Sequence, residues 1–241
     1  IHIMRGIPRQ VVEADHPVMG FTATARDIAA PESRCSWLNH MCGVDASKAG
    51  AQAYYDSLFH LYADWEVDYV KADDILTGYP GPYHEAEIEA LRAAIDGCGR
   101  PMVLSLSPGQ APLNRAEHLR RHANLWRISM DFWDTWWKLK EQFQLCNAWS
   151  NYIGPGHWPD ADMLPLGHLA LCGPEGPERD SYLNPHEART MMNLWCIFRS
   201  PLMFGGDLPT TDQATLDLLT NDDVLYVNQH STANHQLGKN G

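Results

Sequence analysis

The stretch Trp65-Glu66-Val67-Asp68-Tyr69-Val70-Lys71-Ala72-Asp73-Asp74 decides the fold. A short apolar alternation ends in one base and two acids, as a buried strand does where it emerges at a functional rim. Val67, Tyr69, Val70 and Ala72 suit a sheet, whereas Lys71 and Asp73, two residues apart, share one face. That pattern sets a cation beside a carboxylate. Such a neighbour holds an aspartate ionised at neutral pH, as a carboxylate nucleophile requires. The same ten residues equally describe a strand-end ion pair without chemistry, and the rest of the chain decides between the two.

Outward from this stretch, helix and strand signals alternate. Ala46 to Ala63 carries Ala49, Ala53, Leu58 and Leu61 at helical spacing, with Asp45 or Ser47 as a cap. Residues 9 to 44, with Pro17, Gly20, Pro31 and Gly43, read as one long functional loop. Thr77 to Pro82 is a loop, Glu85 to Asp96 an amphipathic helix, and Pro101 to Gly109 a strand with its rim. Ala116 to His122 reads as helix, Leu125 to Ser129 as strand and Trp133 to Leu145 as helix. After a Pro/Gly-rich loop at residues 173 to 185 come a helix at His186 to Phe198, a strand in Ser200 to Asp207 and a helix at Thr211 to Leu219. Six barrel-like strands are expected, at residues 1 to 6, 67 to 73, 101 to 107, 125 to 129, 147 to 153 and 201 to 204. Alternating elements with polar strand ends predict an α/β fold, either a (β/α)8 TIM barrel or an open doubly wound sheet. Residues 1–221 read as a partial barrel that lacks two strands, and 222–241, containing Asp223 to Gln229, as an exit strand towards a further domain. The chain opens inside a strand and closes without an element, as a part of a longer protein does.

The totals narrow the function. With 18 Lys plus Arg against 30 Asp plus Glu, the formal charge is −12 and no basic run appears, so nucleic acid and anionic membranes are poor partners. No apolar run reaches 18 residues. Nine Trp and nine Tyr provide faces that can stack on sugars, although any single one more often fills a core. Cys35, Cys42, Cys98, Cys146, Cys172 and Cys196 lack the spacing of a zinc site. In an oxidising compartment Cys35 and Cys42 can close a loop disulfide; the other four read as free thiols.

A second polar group, Arg127 with Asp131, follows the strand at Leu125. Two carboxylates across one pocket suit glycoside hydrolysis, one attacking the anomeric carbon while the other protonates the leaving oxygen. Alone, Asp131 reads as a helix N-cap before Phe132-Trp133. A metal-dependent alternative built on Asp73, Asp74, Asp160 and Asp162 lacks paired histidines. A third reading is a sugar-binding relative without catalysis.

The ordered set Asp68-Tyr-Val-Lys-Ala-Asp73, Arg127-x-x-x-Asp131, Gly154-Pro-Gly-His-Trp-Pro-Asp-Ala-Asp-Met-Leu164 and Met192-Asn-Leu-Trp-Cys-Ile-Phe-Arg-Ser-Pro-Leu-Met203 resembles the α-galactosidase family, glycoside hydrolase family 27. The resemblance covers nearly the whole chain. It implies a (β/α)8 barrel, a double displacement with retention at terminal α-galactosides, and no metal or organic cofactor. It implies an oligosaccharide or glycoside as partner and a secreted, periplasmic or lysosomal setting. Related sugars, α-N-acetylgalactosaminides, β-L-arabinopyranosides or isomalto-dextrans, share the mechanism. By motif position Asp73 resembles the nucleophile and Asp131 the acid/base. Lys71, Arg127 and Asp162 resemble sugar-pocket residues, and Arg5 and Ser107 join them as substrate-binding candidates at strand ends. Asp160 is similar to a structural residue. Four departures stand out: the Trp and Asp pair of the family's first strands and its C-terminal β-sandwich are not in these residues. The rim expected to carry Cys-Glu-Trp reads Ser105-Leu106-Ser107, and a family cysteine is replaced by Ile75.

Overall fold

The computed structural model describes residues 1–76, 82–172 and 176–238. The loop expected at Thr77 to Pro82 lies outside the described residues except for Pro82, as do residues 173–175 of the Pro/Gly-rich loop. The chain forms two compact units, Ile1–Trp126 and Arg127–Gly241.

The first unit is built on a parallel sheet. Its strands are β1 (His2–Met4), β5 (Tyr69–Asp73), β6 (Val103–Leu106) and β7 (Leu125–Arg127), the last leaving the unit at its final residue. Met4 lies opposite Asp73, Ala72 opposite Leu106, and Leu106 opposite Trp126. The alternation expected of the key stretch is present, with Val70 and Ala72 fully buried and Tyr69, Lys71 and Asp73 half-buried. Between β1 and β5 the chain forms β2 (Ile7–Pro8), α1 (Arg9–Glu13), α2 (Ala25–Ile28), β3 (Ala29–Ala30), β4 (Met41–Val44) and α3 (Ala51–Asp64). β2 and β3 flank β4 in a small antiparallel sheet, so residues 9 to 44 are not one loop. Two-residue strands and a four-residue helix opened by the Thr24–Asp27 capping box are too short to leave a periodic trace. Gly6, at φ +89°, makes the turn from β1, where a Cβ would fall 1.9 Å from the Cys42 carbonyl oxygen.

Helices fill the connections between strands. α4 (Glu85–Gly97) buries Ile88, Leu91, Ala94 and Ile95, one face at helical spacing, and packs on α3, whose buried Tyr55 donates its hydroxyl to Glu87. Fully burying a side chain such as Phe59 is worth about 2–3 kcal/mol. α5 (Ala116–His122) carries the chain from β6 to β7.

In the second unit, α6 (Trp136–Trp149) precedes β8 (Trp158–Asp160), and the Ile128 N–H donates to the Asp160 carbonyl at 3.0 Å. β9 (His168–Leu169) and β10 (Arg179–Asp180) pair antiparallel. α7 (Pro185–Phe198), α8 (Gln213–Leu219) and α9 (Asp222–His230) follow, and α7 packs on α9. Three strand expectations fail here. Residues 147 to 153 close α6 and add a 3-10 turn at Ser150–Tyr152, because Leu139, Gln142, Cys146 and Trp149 continue one buried helical face. Residues 201 to 204 form only a bridge, Phe204 to Leu164. The expected exit strand is α9: the Asn221 side chain accepts the Val224 N–H at 3.1 Å, and Asp222 and Asp223 sit in the positive first turn.

Candidate active site

Asp73 is the last residue of β5, and the parallel register sets Ser107, just past β6, beside it: the Ser107 N–H donates to the Ala72 carbonyl at 2.9 Å. The Ser107 hydroxyl donates to Asp73 Oδ1, and His2 Nε2 lies 2.8 Å from Oδ2. Both carboxylate oxygens are therefore oriented, while the side chain keeps 18% of its surface open. Lys71 lies on the same face, opposite His2 and Ser105 in the ladder. Among the described residues the ion-pair partner of Asp73 is His2 rather than Lys71. His2 was not singled out from the sequence; only the register of β1 reveals it.

The next residue turns inward. Asp74 takes the left-handed backbone, φ 60°, and its Oδ2 accepts from Arg5 Nη2 at 2.8 Å. Arg5 also donates to the Asp74 carbonyl, to Ser33 Oγ and to Glu87 Oε1, the last at 2.8 Å. Glu87 Oε2 in turn accepts from the Tyr55 hydroxyl at 2.6 Å and from the Val44 N–H at 3.2 Å. Burial pushes the Asp74 carboxyl up, an effect the Arg5 charge opposes. Arg5 is only 3% exposed with its donors spent on protein groups, so the structure places it beneath the rim, tying β1 to β5 and α4. Cys35 and Cys42 are buried free thiols, without the loop disulfide that an oxidising compartment would allow. The two thiols belong to different contacts: Cys42 is in β4, opposite Ile7, and Cys35 lies beside Asp74.

In the second unit Arg127, at the end of β7, is buried, and its Nη2 donates to Asp162 Oδ2 at 2.7 Å and to Asp131 Oδ1 at 3.2 Å. Asp162 Oδ2 also accepts the Phe132 N–H at 2.7 Å, so this carboxylate pins the turn that carries Asp131. Asp162 itself sits at φ 81°, held by its N–H to Asp160 Oδ1 at 2.8 Å and by Trp195 Nε1 donating to its carbonyl at 2.8 Å. A non-glycine residue in that region is strained and persists only where its surroundings over-determine it. Asp131 is 66% exposed and is no helix cap, since α6 starts at Trp136 after Thr135. A buried guanidinium beside an open carboxylate can hold that carboxylate for proton transfer. Among the described residues no metal-holding group includes Asp73, Asp74, Asp160 or Asp162, and arginines occupy Asp74 and Asp162.

Residues 39–230 match the family described as Melibiase_2, alpha galactosidase A. The chain belongs to this family. Among solved structures it is 55% identical to a GH27 β-L-arabinopyranosidase from Geobacillus stearothermophilus, with a TM-score of 0.91 over 95% of this chain and 53% of that one. A putative α-N-acetylgalactosaminidase from Bacillus halodurans is 51% identical, with a TM-score of 0.81 over 97% of this chain and 54% of that one. The α-N-acetylgalactosaminidase of Rattus norvegicus is 31% identical over 182 residues, 70% of this chain and 39% of that protein. The chain thus spans about two fifths of that curated relative and about half of these solved chains. Over that span the fold is a partial (β/α) barrel, in keeping with the parallel strands and intervening helices described above.

Proposed function

We propose that this chain is catalytic barrel from a retaining glycosidase acting on terminal β-L-arabinopyranosides, with Asp73 as nucleophile and Asp131 as general acid/base. The observation that carries the mechanism is the setting of Asp73, a part-open carboxylate at the C-terminal end of a parallel strand with both oxygens oriented by Ser107 and His2. Asp73 attacks the anomeric carbon while Asp131 protonates the departing oxygen; water then cleaves the glycosyl-enzyme ester as Asp131 takes its proton. Retention of this kind calls for carboxyl groups about 5 Å apart across the bond. Arg127, Asp162 and the Phe132 N–H position Asp131, and Lys71 supplies a donor to a sugar hydroxyl beside the nucleophile.

Likeness to the Geobacillus enzyme, 55% identical over nearly the whole chain, supports the choice of sugar. β-L-Arabinopyranose is α-D-galactopyranose without its C5 hydroxymethyl group, so one mechanism serves both and only the space at C5 divides them. An α-D-galactosidase is the second reading, favoured by the family description and by plant relatives such as α-galactosidase 3 of Arabidopsis thaliana, 29% identical.

Hydrolysis of nitrophenyl β-L-arabinopyranoside, α-D-galactopyranoside and α-N-acetylgalactosaminide by the full-length protein tests this. The expected result is highest kcat/KM on the arabinopyranoside, lost in Asp73→Asn. A preference for the galactoside selects the second reading, and absence of turnover on all three overturns both.

A further inference from the structure

Away from the strand ends, α4 and α5 of the first unit bring together Glu89, His118 and His122. His118 and His122 are one turn apart on α5, with ring centroids 4.3 Å apart, and Glu89 faces them from α4. One donor atom from each lies within 4.8 Å of the other two. His118 Nε2 is 3.4 Å from Glu89 Oε1, yet it is buried without a hydrogen bond. Two ligands on a tetrahedral zinc ion, each bonded at about 2.0–2.1 Å, stand about 3.3 Å apart. That spacing suits a shared ion as well as it suits a direct contact.

The ring orientations favour the ion. His122 Nδ1 lies 2.8 Å from the His118 carbonyl, which can only accept, so Nδ1 carries the proton and the Nε2 lone pair is free to ligate. His118 Nδ1 is 2.6 Å from the Tyr83 hydroxyl, a partner that accepts from Nδ1–H when Nε2 binds metal. Both imidazoles thus have the hydrogen bond on the far nitrogen that orients metal-bound histidines. Glu85 is 3.9 Å from His118 Nε2 but is engaged with Arg115 at 3.0 Å, leaving the fourth position to water or to a shifted Glu85.

We propose that Glu89, His118 and His122 form a zinc site that clips α4 to α5, separate from the residues assigned to sugar cleavage. Two neutral imidazoles and one carboxylate suit Zn²⁺ among the divalent ions, with Co²⁺ as its spectroscopic substitute. An ion bound to the folded state alone stabilises it by mass action.

The test is calorimetric titration of ZnCl₂ into the tag-free, chelator-treated full-length protein at pH 7.5, with thermal unfolding alongside. One equivalent of zinc should bind and raise the midpoint. His122→Ala should abolish the rise and weaken binding more than about tenfold, and Tyr83→Phe should weaken it about tenfold. His168→Gln, which removes the separate pairing of His168 with Glu178 and Asp180, should change neither. Co²⁺ should give tetrahedral absorption bands that His122→Ala removes while its circular dichroism stays that of the parent. Zinc that fails to bind, or binds equally to His122→Ala, overturns the proposal, as does binding lost only with His168→Gln.

Discussion

Ser107 is the departure from the family rim that the structure makes intelligible: its hydroxyl holds Asp73 Oδ1. Ser107→Ala should lower kcat/KM about tenfold without lowering the unfolding midpoint, because a carboxylate held by His2 at one oxygen only swings off the line of attack. Unchanged kinetics would remove that positioning role. Asp131 answers to a different probe. Asp131→Asn should cost about 10²–10⁴-fold on a glycoside with a poor leaving group and far less on a dinitrophenyl glycoside, since only the former needs the proton. Equal losses on both would count against the acid role. Asp73 and Lys71 were legible in sequence because strand alternation fixes their common face. His2 and the capture of Asp74 by Arg5 were not, because both depend on which strand lies beside which and in what register. The helix-cap reading of Asp131 failed for a local reason: Asp162 holds the Phe132 N–H, and the helix begins only after Thr135.

The joint between β1, β5 and α4 is ionic, and its members predict stability. Glu87→Gln leaves the buried Arg5 with a single, half-buried carboxylate partner and should cost about 3 kcal/mol in urea unfolding. His84 sits 3.8 Å from Glu87, but burial first, and then the charge of Arg5, push its imidazole down to about 4. With the folded value below the unfolded value of about 6.5, the folded state binds fewer protons between them. His84 therefore lowers stability progressively as pH falls from about 6.5 to about 4, and His84→Gln should flatten that limb of the stability profile. A limb of equal slope in both proteins would contradict this. In the second unit α7 starts at a capping box, Asn184 accepting the His186 and Glu187 N–H groups while Glu187 returns to the Asn184 N–H. Asn184→Ala should cost about 1 kcal/mol. The long helices were readable to within a few residues from the spacing of their apolar residues, but the cap expected at Asp45 or Ser47 is not formed: α3 starts after Gly50 without a side-chain cap. The strands past residue 147 were misread because short apolar runs fit either period: Trp149 completes a helical face, and Val224 to Val227 follow an Asn-Asp-Asp cap.

Taken whole, the chain pairs a family assignment over residues 39–230 with a sheet whose strand ends carry the polar groups. The α/β alternation announced that arrangement from sequence, and the four ordered motifs announced the family. The preferred sugar was not legible, since galactosides and arabinopyranosides differ only at C5 and no motif in the chain encodes that space by itself. On the proposed mechanism Asp73 forms the covalent intermediate. Incubating the full-length protein with a fluorosugar inactivator of the arabinopyranosyl or galactosyl series, followed by mass spectrometry of its peptides, tests it directly. A single glycosyl adduct on the peptide bearing Asp73, absent in Asp73→Asn, is the predicted result; an adduct on another carboxylate, or turnover that inverts the anomeric centre without any adduct, would contradict it.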